Sequence, residues 1–271
     1  MPEFACLNLT LADHIAQIEL NRPNKANALN GVLWREIGAA FRWVDDTPEV
    51  RVAILSGAGR HFCAGIDFEL MSAVLGAVEP LGPGRKEEQL RRTIIELQAA
   101  FTALESCRKP VLAAIHGRCI GGGLDLIAAC DMRYATADAA FSLKEVDLAI
   151  VADVGSLQRL PYLIGEGYVR ELAFTARPFD AAEAQAMGLV NRVFADVAQL
   201  RDGVQAIAAS IAAKSPLTVR GIKQVLNYGR DHSVTDGLEY VATWNAALLL
   251  SDDTREAIAA TMQKRTPQFG D

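Results

Sequence analysis

The stretch HGRCIGGGLDLIAAC, His116 to Cys130, decides the fold. It follows VLAAI, Val111 to Ile115, an unbroken apolar run of strand length set off by Lys109-Pro110. Its second half is short and apolar and reads as a helix, with Gly121, Gly122 and Gly123 at the junction. A buried strand turning through glycine into a helix is one unit of an α/β fold. Two readings of the glycines stay open. They could allow close packing of helix on strand, or they could open a helix whose free N–H groups face a developing negative charge. The stretch lacks the GxxxxGK[ST] pattern of a phosphate loop and the glycine spacing of a dinucleotide fingerprint.

Upstream, Phe4 to Thr10 and Ile15 to Leu20 alternate apolar and polar residues around Ala12-Asp13-His14, which predicts a hairpin. The loop NRPNKANALN follows, and its Asn30 is placed to cap a helix through Trp34, Ile37, Phe41 and Val44. Val52 to Leu55 reads as a short buried strand, and about Glu87 to Ser106 as a helix. Downstream, Met132 to Ala135, Ala140 to Leu143 and Leu189 to Phe194 read as short strands. Helical periodicity begins near Gly165, Asp180, Val197, Pro216 and Val234. Strands and helices alternate first and helices then run on, the order of an α/β core with a helical C-terminal extension.

Two further stretches could carry chemistry. HFCAGIDFELM, His61 to Met71, sets the small pair Ala64-Gly65 after a strand, where a backbone N–H can approach a ligand; a plain surface loop is the alternative. FSLKEVDLAIVADVGSLQRLP, Phe141 to Pro161, places Glu145 and Asp153 in apolar surroundings. Carboxylates there are costly unless paired or protonated, which makes them candidate acid-base groups. Asp147 lies nearby and reads more simply as a helix cap.

The 271 residues are 51% hydrophobic and 22% charged, as in an ordinary globular protein, and the net charge of −6 disfavours general nucleic-acid binding. Five cysteines without a CxxC pair argue against a disulfide framework. The dispersed histidines, His14, His61, His116 and His232, argue against a metal site. No apolar run is long enough to span a membrane. The N-terminus does not read as a signal peptide and the C-terminal TPQFGD matches no retrieval or peroxisomal signal, so a cytoplasmic location is the default expectation.

Taken in order, NRPNKANALN, HFCAGIDFELM, HGRCIGGGLDL and FTARPFDAAEAQAMGLVNRV resemble the crotonase superfamily, the enoyl-CoA hydratase/isomerase group, over nearly the whole chain. The resemblance implies a ClpP-like ββα-spiral core over residues 1–198 and a C-terminal helical trimerisation region over 199–271. It implies an acyl-CoA thioester substrate, no separate cofactor or metal, and self-association as a homotrimer or dimer of trimers, without nucleic acid or membrane as partner. By position it assigns the oxyanion-binding N–H groups to Ala64 and Gly122. Ala64, Gly65, Ile66, Asp67 and Phe68 would line the thioester and pantetheine, and Lys25 and Ala26 the adenine region.

Membership alone leaves the reaction open, and the acids narrow it. Hydratases of the group carry glutamates at the positions of Asp125 and Glu145, and usually glycine at that of Asp153. The trio Asp125, Glu145 and Asp153 resembles the dienoyl-CoA isomerases, which convert 3,5-dienoyl-CoA to 2,4-dienoyl-CoA in fatty-acid β-oxidation. That implies Glu145 at C2, Asp153 at C6, and Asp125 tuning the pair or holding a water. Enoyl-CoA hydration is the alternative reaction, and an RNA-binding crotonase relative the non-enzymatic one.

Overall fold

The computed structural model describes residues 1–271. The chain opens with β1 (Leu7–Ala12) and β2 (Ile15–Leu20), paired antiparallel from Leu7 opposite Leu20 to Ala12 opposite Ile15. Asp13 and His14 both take positive φ at the turn between them, as a tight hairpin with right-twisted strands requires. There follow α1 (Gly31–Asp46), β3 (Val52–Gly57), α2 (Phe68–Val78), α3 (Arg85–Ser106), β4 (Val111–Ile115), β5 (Arg118–Ile120) and α4 (Gly122–Ala128). Then come β6 (Met132–Thr136), β7 (Ala140–Ser142), α5 (Ser156–Arg159), α6 (Glu166–Thr175), β8 (Phe179–Asp180), α7 (Ala181–Ala186) and β9 (Arg192–Phe194). The chain closes with α8 (Val197–Ala212), α9 (Pro216–Tyr228), α10 (Val234–Leu248) and α11 (Asp252–Met262).

One sheet has the order β1-β2-β3-β4-β6-β9, parallel throughout except for the first hairpin. All five residues of β4 are buried, which is why that strand reads as a continuous apolar run. A second, three-stranded sheet has the order β5-β7-β8. Asn30 caps α1 by accepting from the Leu33 amide at 2.8 Å. The buried stripe of α1 carries Trp34, which stacks on Phe101 of α3 with ring centroids 4.9 Å apart.

Two expectations need correction. Residues 68–78 form α2, where the sequence pattern predicts no element. Only Val78 of this helix is buried, and Phe68 and Leu75 are exposed, so its apolar residues do not mark a core-facing stripe. The boundary at residue 198 also fails, because it separates α8 from a sheet it covers. Leu200, Val204, Ala208 and Ala212 share a core with Ile15, Val52, Ile54, Leu112 and Ala114. The helical extension therefore starts with α9. No residue of α10 is buried.

Candidate active site

Two arms of backbone meet at the glycine junction. The first runs through Asn27 to Phe68. Asn27 is fully buried, with its Nδ2 donating to the carbonyls of Ala58 (2.9 Å) and His61 (2.8 Å) while its Oδ1 accepts from the Arg22 amide. This ties the loop before α1 to the loop after β3. Leu29 and Ile66 then face each other as a short parallel bridge: the Leu29 amide donates to the Gly65 carbonyl (2.8 Å) and the Asp67 amide to the Leu29 carbonyl (3.1 Å). Both groups that Ile66's neighbours offer to this side are used, and the Ile66 amide itself donates to no backbone carbonyl.

The second arm is Gly121-Gly122. Gly122 is the first residue of α4, so its amide has no acceptor within the helix. The arms are close: a side-chain carbon on Gly122 would stand 3.8 Å from the Ile66 nitrogen, and one on Gly65 would stand 3.6 Å from the Gly122 nitrogen. Gly65 takes φ 92°, and a side chain on it would lie 2.9 Å from the Ile120 carbonyl oxygen, so only glycine lets the arms approach.

This geometry corrects the assignment of Ala64. Its amide donates to the Ala26 carbonyl at 2.9 Å and is not free to bind a ligand oxygen. The free amide of the first arm is that of Ile66. Asp67 also has a structural part: its carboxylate accepts from Arg22 Nη1 (3.0 Å) and from the Glu69 amide at the start of α2 (3.1 Å). The Glu69 amide and the Arg22 guanidinium hold its pKa below the usual carboxylate range. Phe68 is exposed at the start of α2, and Lys25 is exposed 4.0 Å from Glu69.

The three acids gather beside the second arm. Asp125, one turn into α4, is fully buried; its Oδ1 accepts from the Ser156 amide at 2.6 Å, and its Oδ2 is buried without a partner. Glu145 opens a 3-10 turn after β7, and a side chain on Gly121 would lie 3.1 Å from its Oε1. Its Oε2 is likewise buried and unpartnered. Asp153 lies, half-buried, in the irregular segment before α5, beside a cleft of about 350 Å³ that Gln98, Thr102, Arg159 and Tyr162 also line. Asp147, by contrast, is exposed and pairs with Lys144 at 2.7 Å.

Burial raises the pKa of all three acids. Asp125 is pushed up to about 7 by burial first and by the charge of Glu145 second. Burial raises Glu145, with Asp153 adding to it, and burial raises Asp153. The acids feel one another, so they titrate as a set. At neutral pH such a set holds a proton that isolated carboxylates would have lost. A cleft of about 1100 Å³ between the N-terminal hairpin and α8 contains none of these groups. No cluster of three or more His, Cys, Asp or Glu could hold a metal ion, and no helix is long and apolar enough to cross a membrane.

Free backbone donors beside buried acids of raised pKa suit an enzyme that moves protons while an oxygen takes up negative charge. The chain belongs to the enoyl-CoA hydratase/isomerase family, whose profile matches residues 10–271. It is 54% identical to a peroxisomal Delta(3,5)-Delta(2,4)-dienoyl-CoA isomerase of Arabidopsis thaliana, over 92% of this chain and 90% of that one. It is 46% identical to the mitochondrial Delta(3,5)-Delta(2,4)-dienoyl-CoA isomerase of Homo sapiens, over 97% and 80%. Among solved structures, an enoyl-CoA hydratase from Bacillus anthracis superposes with a TM-score of 0.89 at 33% identity, covering 98% of this chain and 99% of that one. The expected crotonase fold is therefore present. The cytoplasmic expectation is overturned, since these isomerases are named peroxisomal and mitochondrial. That default rested only on finding no familiar address in the sequence.

Proposed function

We propose that this enzyme isomerises 3,5-dienoyl-CoA to 2,4-dienoyl-CoA, a step of fatty-acid metabolism. The observation that carries the reading is the third acid: Asp153 joins Asp125 and Glu145 at one buried site, in a chain 45–54% identical to several dienoyl-CoA isomerases.

Glu145, as carboxylate, takes the proton from C2 beside the thioester carbonyl. The C2 electron pair forms C2=C3, the C3=C4 pair moves to C4=C5, and the C5=C6 pair takes a proton at C6 from protonated Asp153. Negative charge passes through the thioester oxygen, held by the amides of Ile66 and Gly122. One such donor is worth roughly 3–4 kcal/mol in the transition state. The raised pKa of Asp153 favours the protonated form that the C6 step requires. Asp125 is anchored by the Ser156 amide, and burial with the charge of Glu145 favours its protonated form. Coenzyme A enters with the substrate, against Lys25, Ala26 and the Gly65–Phe68 segment. The chain self-associates as a homotrimer or dimer of trimers through α9, α10 and α11, whose Leu226, Leu238 and Met262, with Leu250 in the turn between α10 and α11, are at least 64% exposed in the single chain.

Purified protein given a 3,5-dienoyl-CoA should develop the longer-wavelength absorbance of a diene conjugated to the thioester. Asp153→Asn should abolish this, by about 10²-fold or more, with coenzyme A binding retained. Rapid hydration of 2-enoyl-CoA without dienoyl turnover would refute the reading.

A further inference from the structure

No other residue donates a hydrogen bond to the Asp153 carboxylate, so its place is set by its own main chain. That main chain belongs to no helix or strand, yet it is held from outside at successive points. Gln98 of α3 donates from Nε2 to the Asp153 carbonyl at 2.6 Å. Arg159 donates from Nη1 to the Val154 carbonyl at 3.2 Å. The Ser156 amide donates to Asp125. Arg159 is in turn fixed by Glu105 of α3, whose Oε2 accepts from its Nε and Nη2 at 3.0 and 2.8 Å. Gly155, between these points, takes φ 130°, and any side chain on it would collide with the Arg159 guanidinium. Gln98 and Glu105 are seven residues apart, two turns of α3, and so share one face of the helix. The other Glu105 oxygen accepts from Arg230, and the Glu105 carbonyl accepts from Asn227 Nδ2 at 3.2 Å, which braces that face from beyond α8.

We propose that Gln98 and Glu105 are positioning residues for Asp153: one face of α3 holds both carbonyls of the Asp153-Val154 segment, directly and through Arg159, and thereby fixes the carboxylate at the far end of the diene. This rests on the reading that Asp153 serves C6. Proton delivery to a carbon demands near-contact geometry, and a displacement of about 1 Å can lower a rate by roughly 10²-fold.

The test compares Gln98→Met, which keeps the side chain's length and removes the donor, with Gln98→Ala and Glu105→Gln. In each, kcat for dienoyl isomerisation should fall about tenfold or more, with KM within about twofold. Exchange of the substrate's C2 proton with deuterated solvent, the near-end step, should keep its rate. Adding Gln98→Met to Asp153→Asn should cause no further loss. An undiminished kcat in Gln98→Met, a parallel fall in isomerisation and C2 exchange, or additive loss in the double variant would each overturn the clamp. A second readout separates the clamp from the reading beneath it. The Asp153 carboxyl, followed as the ¹³C resonance missing from Asp153→Asn, should titrate at a changed pH in Gln98→Met. If Asp153→Asn keeps full turnover, the C6 assignment fails on its own; an unmoved titration overturns the clamp.

Discussion

Replacing Asp125 by asparagine should change how stability depends on pH, and the structure fixes both sign and size. In the folded protein burial and the charge of Glu145 push Asp125 up to about 7, against 3.8 for a free aspartate. The native state therefore binds this proton more tightly than the unfolded chain does. Below pH of about 4 both states carry it, and burial incurs no charge penalty. Between about 4 and 7 the unfolded chain releases it while the native state keeps it, so stability falls as pH rises. Above 7 the full penalty is present. At 1.36 kcal/mol per pH unit, the interval from 3.8 to about 7 amounts to about 4 kcal/mol. The substituted asparagine would keep the acceptor for the Ser156 amide and carry no charge at any pH. Denaturant unfolding from pH 4.5 to 8.5, at fixed protein concentration so that self-association does not intrude, measures the effect. Wild type should lose several kcal/mol across that range. Asp125→Asn should lose less and be the more stable protein at pH 8.5, keeping only the same-signed dependence of Glu145 and Asp153. Parallel curves, or a variant less stable than wild type at pH 8.5, would refute the reasoning.

The other predictions concern the backbone arms and the exposed helices. Gly65→Ala forces a side chain to within 2.9 Å of the Ile120 carbonyl oxygen at φ 92°, and should lower kcat by about 10²-fold through displacement of the Ile66 amide; steady-state kinetics with a 3,5-dienoyl-CoA check this. Leu238→Asp with Leu250→Asp places charge on exposed apolar positions of α10 and of the turn after it, and should shift the sedimentation of the assembly toward the single chain.

The acids were legible in the sequence because charge in an apolar run is an anomaly that physics must explain. Glu145 and Asp153 stood out for that reason before any fold was known, and their raised pKa values have the same cause, burial. The cap at Asn30, the hairpin around Asp13 and the fully buried β4 were legible because each follows from local chemistry. The oxyanion arm was not. Which amide points into the site depends on the pairing of Leu29 with Ile66, across 37 positions of chain, and on the turn that Gly65 makes between Ala64 and Ile66. A backbone N–H has no side-chain signature, so the small pair Ala64-Gly65 marked the place and misled as to the donor. Asn27 and Gln98 were equally silent. Their side chains bond main-chain carbonyls 31 to 55 residues away, and nothing in their own neighbourhood foretells those partners.

Three carboxylates in one buried site oppose folding, and the chemistry explains why the arrangement is stable enough to persist. Moving a double bond pair along a chain consumes one base and one acid at once, so one carboxyl must be ionised while another keeps its proton. Two carboxyls in water would both be ionised at neutral pH. Burial raises both, and mutual repulsion then separates them, because the first to ionise makes ionisation of the next harder. The Ser156 amide holds Asp125 in place beside the pair, and Gly121 leaves room for Glu145 next to the Gly122 amide. The stability lost to burying Asp125 and the raised pKa of Asp153 thus share one cause, burial. In the proposed reaction the repulsion among the acids eases once Glu145 has taken the C2 proton, because the negative charge then lies on the thioester oxygen beside the amides of Ile66 and Gly122.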